Sequence, residues 1–311
     1  MHNSNVKYLA LILALALPLR AQAPDPNPVP PKLIAPGVWF FLDSYNGYAN
    51  TIVIEMRDYL IVVDANYPGR AKELLKIIPT LSPKPIKYVF DTHAHGDHSY
   101  GNSTWTAAGA TTLAFSGVVD DMNRYEPERW HTAEQKRDDV RDLHQPDVER
   151  PKQVITGSRF VLKDGEREVD FLHFGWAHTQ GDGFVWLPHE RILCTGDAAA
   201  NGPRNKLWDA DIANWPRVLA RAIALKPLHV LPGHGDAGGI EILAGQRQYL
   251  IDLRAAVAAQ MKLGRTPGTI VLDLPASDQN WVRKDSSDAI EPTYNELKAH
   301  KPAGSLPHTW R

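Results

Sequence analysis

Four side chains able to bind a transition metal stand within six residues, in the run His93-Ala94-His95-Gly96-Asp97-His98. Neutral imidazoles together with a carboxylate suit zinc or another first-row metal. The apolar run just before them, 86–90, reads as a strand that delivers the cluster at its C-terminal end. Ligands placed where a strand gives way to a loop are a common site geometry in layered α/β folds. The chain must therefore fold so that other segments supply what these four residues lack.

The rest of the pattern agrees with a layered fold. Runs 38–42, 51–55 and 59–63 read as strands, with Arg57-Asp58 turning between the last two. Residues 70–81 carry Leu74, Leu75, Ile77 and Ile78 at helical spacing, and Pro83 and Pro85 stop that helix. Further strands are expected at 111–115, at 159–162 and 169–174 around Asp164-Gly165, and at 183–187, 192–195 and 229–231. Helices are expected at 214–225 and 240–261. The charged stretch 118–152 reads as a surface helix and loop, or as a lid whose Tyr125 and Trp130 touch substrate. Strands and helices interleaved in this order predict a layered α/β domain.

The ends of the chain read differently. Lys7, an apolar run over 8–19 and Ala21-Gln22-Ala23 have the layout of a secretory signal over 1–23. The run is short for a membrane span, so no stable membrane insertion is expected after cleavage. A Pro-rich linker is expected over 24–36, the main domain over 37–264, and a polar, Pro-rich C-terminal extension over 265–311. Export implies a periplasmic or secreted protein. The single cysteine, Cys194, forbids an internal disulfide and sits in an apolar run, where it reads as a small core residue. A net charge of −2, with no polybasic run, gives no reason to expect nucleic acid.

Three later segments each place a metal-competent residue just after an expected strand: Ala177-His178-Thr179, Thr195-Gly196-Asp197 and Pro232-Gly233-His234-Gly235. The glycines beside Asp197 and His234 permit tight turns. With these motifs the chain resembles the metallo-β-lactamase superfamily over roughly residues 37–245. The resemblance implies a four-layer αββα sandwich with two adjacent metals in a groove at one edge. By position it implies His93, His95 and His178 on one metal, Asp97, His98 and His234 on the other, and Asp197 bridging them. It also implies that Asp64 supports the site without binding metal. Two zinc ions are the expected cofactors, with iron or manganese as alternatives. Such a site would carry a net charge of about +2, enough to hold hydroxide between the metals for attack on a carbonyl. Asp97 is expected to help orient that nucleophile.

The resemblance also frames the substrate question. An aspartate at the position of Asp197 is similar to the ester, thioester and lactone hydrolases of the superfamily, so hydrolysis of such a small molecule is expected. The alternative is hydrolysis of a β-lactam amide. The stretches 178–196, 207–216 and 230–235 resemble true lactamases, but Ala200 stands where those enzymes carry a lysine for the drug's carboxylate. Arg204 or Lys206 is a candidate replacement, and Tyr48, with Tyr45, is a candidate substrate contact. A second alternative is a persulfide dioxygenase with one iron. Export argues against it, because its thiol substrates are mainly intracellular.

Overall fold

The computed structural model describes residues 29–43, 45–204 and 206–307. The signal segment expected over 1–23 lies outside the described residues. In chain order the strands are β1 (Lys32–Ala35), β2 (Val38–Phe41), β3 (Thr51–Glu55), β4 (Leu60–Val63), β5 (Ile86–Phe90), β6 (Thr111–Phe115), β7 (Gln153–Ile155), β8 (Arg159–Asp164), β9 (Arg167–Leu172), β10 (Phe184–Leu187), β11 (Ile192–Gly196) and β12 (His229–Pro232). The helices are α1 (Pro68–Leu81), α2 (Gly96–Ser99), α3 (Asn102–Ala107), α4 (Ser116–Tyr125), α5 (Glu128–Lys136), α6 (Asp138–Arg141), α7 (Trp215–Ala224), α8 (Ile240–Lys262) and α9 (Ser287–Ala299). Strands β1 to β7 form one sheet in sequence order, and β12-β11-β10-β9-β8 form the other.

Strand composition explains the layering. Along β3 and β4, Ile52, Ile54, Ile61 and Val63 face the space between the sheets. There they meet Val185 and Leu187 of β10 and Ile192 and Cys194 of β11. The intervening Val53, Leu60 and Val62 face outward onto Leu74 and Ile78 of α1. On the second sheet, Phe184, Trp186 and Leu193 face α7 and α8. Strands apolar on both faces must be covered on both faces, which yields helix, sheet, sheet and helix. This is the expected αββα sandwich. In both sheets the strands nearest the site run parallel: β4 to β7 pair parallel, as do β11 and β12. Their C-terminal ends therefore emerge on one edge.

Three stretches differ from expectation. Residues 32–35, placed in the linker, form β1, which pairs antiparallel with β2. Residues 118–152 are not one helix and a loop but run through α4, α5 and α6. Trp130 is fully buried and donates from Nε1 to the Gln145 carbonyl, while the Tyr125 hydroxyl donates to the Gly304 carbonyl. Neither is placed as a lid residue that touches substrate. The C-terminal extension is part of the same core: Ala289 and Ile290 of α9 pack with Leu250, Leu253 and Val257 of α8. Glu296 of α9 accepts hydrogen bonds from the Ile212 and Ala303 amides. Among the described residues, no helix is long and apolar enough to cross a membrane.

Candidate metal centre

Four strand ends build the site. His93 follows β5, and His95 leads into α2, which carries Asp97 and His98. His178 lies between β9 and β10, Asp197 follows β11 directly, and His234 follows β12. The β5 and β11 ends meet closely because Gly196 has φ +49 and no side chain. A Cβ there would lie 2.2 Å from Thr92 Oγ1.

The structure brings all seven residues together. Ligand atoms of His93, His95 and His178 lie within 4.8 Å of one another, as do those of Asp97, His98 and His234. Asp197 forms a third such group with His93 and His98, one member of each triad. Each of three imidazoles has its far nitrogen occupied: His93 Nδ1 lies 3.1 Å from Thr92 Oγ1, His95 Nε2 lies 2.7 Å from Asp209 Oδ2, and His98 Nδ1 lies 2.8 Å from Asp64 Oδ2. Such outer partners fix the ring orientation and the tautomer of a metal-binding histidine. The near nitrogens point inward. His95 Nδ1 and His178 Nε2 stand 3.1 Å apart, and His234 Nε2 stands 3.0 Å from Asp97 Oδ2. Nε2 of His93 and of His98 is buried without a hydrogen-bond partner. Buried polar atoms are seldom left so, and inward-facing imidazole nitrogens beside carboxylates are a donor set that fits a divalent metal.

The electrostatics agree. Burial and the surrounding histidines hold His93 well below its ordinary range, and burial with His95 takes His178 down to about 3. Burial opposes charge on His98 as well, but Asp64, Asp97 and Asp197 outweigh it and raise it to about 10. Asp97 and Asp197 are pushed up by burial, yet the facing imidazoles, chiefly His98 and His234, bring both below the usual carboxylate range. Without metal, the site thus keeps its carboxylates ionised and gathers positive charge against them, as a cation site does.

Asp64 stands where the resemblance implied. It holds His98 with Oδ2 and accepts the Thr92 amide with Oδ1 at 2.8 Å, from a backbone at φ +71. Strained backbone that is locked by hydrogen bonds is typical of functional sites. Asp209 is a residue that sequence reasoning missed in this role. Besides His95 it holds Arg129, whose Nη2 lies 2.9 Å from Oδ2 and whose guanidinium lies 3.8 Å over the Tyr125 ring. It belongs to the stretch 207–216 noted in the sequence, but nothing local marks it as a histidine partner.

The centre opens into a cleft of about 540 Å³. Tyr67 and Tyr100 form an apolar wall. Arg129, Lys136, Arg137, Arg204 and Lys206 make the remainder strongly basic. Arg129 and Arg137 are engaged with Asp209 and Asp139. Lys136, Arg204 and Lys206 have no ion pair among the described residues. Ala200 is fully buried and its amide donates to Gln246 Oε1, so that position offers the cleft nothing. Tyr48 is mostly buried under Arg137 and borders only a side lobe of about 210 Å³ beside Asp97 and His234.

The model of the metallo-beta-lactamase superfamily matches residues 45–234, more than half of the chain. The chain belongs to this superfamily. Its curated relatives include metallo-beta-lactamase type 2 of Bacillus cereus, 27% identical over 200 residues, which cover 61% of this chain and 68% of that protein. A probable hydroxyacylglutathione hydrolase of Schizosaccharomyces pombe is 20% identical over 201 residues, 63% of this chain and 67% of that protein. Among solved structures, the sec-alkylsulfatase Pisa1 of Pseudomonas sp. superposes with a TM-score of 0.67 at 19% identity, over 89% of this chain and 52% of that one. A metallo-beta-lactamase of Pontibacter korlensis gives 0.57 at 20% identity, over 71% and 98%. These structures share the superfamily fold. Superfamily members are metallo-hydrolases, and the chain is a hydrolase of this class with a His/Asp cluster able to hold metal.

Proposed function

We propose that the protein is a dizinc hydrolase of a small anionic ester, thioester or lactone. The observation that carries this reading is the placement of Asp197 in one cluster with His93 and His98, a member of each triad. His93, His95 and His178 would hold one zinc, Asp97, His98 and His234 the other, with Asp197 shared. When bound, the metals supply a water nucleophile at neutral pH and polarise the carbonyl under attack. Asp97 is partly exposed to the cleft and held by His234, so its carboxylate would accept a hydrogen bond from that nucleophile and orient it. Tyr67 and Tyr100 offer an apolar wall to the acyl chain. Lys136, Arg204 and Lys206 favour a substrate with negative charge away from the scissile bond.

A second reading, β-lactam hydrolysis, draws support from the likeness to the Bacillus cereus enzyme and from Arg204 and Lys206 near the position of the missing lysine. One experiment separates the two. Purified protein is analysed for metal and then assayed on nitrocefin, an acyl-homoserine lactone, a thioester and an aryl ester. Two zinc ions per chain with preference for the lactone or esters are expected, and Asp197→Ala should retain about one zinc and lose most of its turnover. Preferential nitrocefin turnover would reverse the order, and a single iron without zinc would replace hydrolysis by oxidation. We also infer export, from Lys7, the apolar run and Ala21-Gln22-Ala23. N-terminal sequencing of the mature protein is expected to start near Pro24, and an intact Met1 would refute cleavage.

A further inference from the structure

The polar stretch after α8 folds back over the loop that follows Asp197. Four side-chain hydrogen bonds join the two segments. Asn280 Nδ2 donates to Asn201 Oδ1 at 3.3 Å, and Trp281 Nε1 donates to the Ala200 carbonyl at 3.2 Å. Arg283 Nη1 donates to the Arg204 carbonyl at 2.8 Å, and Trp208 Nε1 donates to Asp288 Oδ1 at 3.1 Å. Trp281 is seated on Gly245 of α8, where a Cβ would lie 2.0 Å from its ring. A glycine inside a helix costs about 1 kcal/mol against alanine, and here it admits the indole. Arg283 is itself steadied by Asp288, 3.3 Å from Nη2, and borders the side lobe next to Arg204, Asp97 and His234.

Among the described residues, few other hydrogen bonds hold the cationic end of the gripped loop. Gly202, at φ +120, is buried, yet a Cβ there would meet nothing within 4 Å. The Arg204 amide bonds only two residues back, to the Gly202 carbonyl. The charge-assisted hydrogen bond from Arg283 to the Arg204 carbonyl is therefore a strong local restraint. A cation fixed before binding loses less freedom when it meets its ligand.

We propose that residues 280–288 form a strap that sets Arg204 at the cleft, with Arg283 as the positioning residue, and that the group so served is a carboxylate of the substrate. The choice of ligand rests on the hydrolase reading; the strap does not. The test uses full-length, zinc-loaded protein and two aryl esters of equal chain length, 4-nitrophenyl hemisuccinate and 4-nitrophenyl valerate. Arg283→Gln should lower the hemisuccinate-to-valerate ratio of kcat/KM about tenfold, through KM, which corresponds to about 1.4 kcal/mol. It should also speed amide exchange in peptides covering 200–204. Arg283→Lys, which keeps the charge and a donor, should restore much of the ratio. Arg204→Gln should lower the ratio alike without changing exchange. An unchanged ratio, an equal loss on both esters, or unchanged exchange in Arg283→Gln overturns the proposal. If the unaltered protein cleaves neither ester, aryl esters fall as its substrates and the exchange result alone decides the strap.

Discussion

At the scale of single residues, the site depends on the partners behind its histidines. Thr92, Asp209 and Asp64 each occupy the outer nitrogen of one ring. Asp209 also balances Arg129, so Asp209→Asn removes a charge that two neighbours use. Loss of such an outer carboxylate typically costs roughly 10–100-fold in metal affinity or activity. We expect that loss at the His93, His95 and His178 triad, read by competition with a chromophoric chelator; unaltered affinity would dismiss Asp209 as a support. The seven inner residues were legible in the sequence because they lie at or shortly after strand ends, and four stand within six residues. Asp209 was not, because it lies 114 residues from His95 and shares no local pattern with it. Trp130 shows the converse: a large aromatic in a charged stretch suggested substrate contact, yet it packs against Tyr100 with ring centroids 5.0 Å apart.

At the scale of elements, the centre exists because the β5 and β11 ends touch through Gly196 and Thr92. An alanine at 196 would combine a left-handed backbone with a methyl group 2.2 Å from Thr92 Oγ1. Left-handed backbone costs about 1–2 kcal/mol and overpacking about 1–3 kcal/mol, so Gly196→Ala should destabilise by about 2–5 kcal/mol. Urea unfolding of metal-free protein reads this; a shift under about 1 kcal/mol would show that the junction is loose enough to admit a methyl group. Strands β3, β5, β6 and β9 were legible from apolar runs and turn signals. β1 and β7 were not, being short edge strands whose pairing comes from β2 and β6 rather than from their own composition. α9 was hidden for a related reason. Its residues are largely polar, and its apolar side is defined only by contact with α8.

At the scale of the whole molecule, the layers bury acids as well as apolar groups. Asp121 on α4 accepts the Gln180 amide, and burial, with Asp209 nearby, pushes it up to about 8 in the metal-free protein. In the unfolded chain it ionises near pH 4. Between about pH 4 and 8 the folded state thus holds a proton that the unfolded state has lost. The stability this provides is complete below pH 4 and declines as pH rises to about 8. Asp121→Asn keeps the acceptor and cannot ionise. Its advantage over the unaltered protein should grow from pH 5 to pH 9 in urea titrations of metal-free protein, and a gap independent of pH would rule this out. The same scale governs the C-terminal stretch, which the sequence marks as an appendage and the fold uses as part of the core.

The sequence alone determined the class of fold and the seven residues of the candidate centre. Both are written in short-range signals: apolar runs of strand length, glycines at turns, and metal-competent side chains at strand ends. The tertiary structure alone decided that Asp209 stands behind His95, that Arg129, Lys136 and Arg137 join the cleft, and that residues 280–288 grip the loop after Asp197. Those relations join positions tens to more than a hundred residues apart. They arise only when parallel strands end on one edge and the chain returns to cover it.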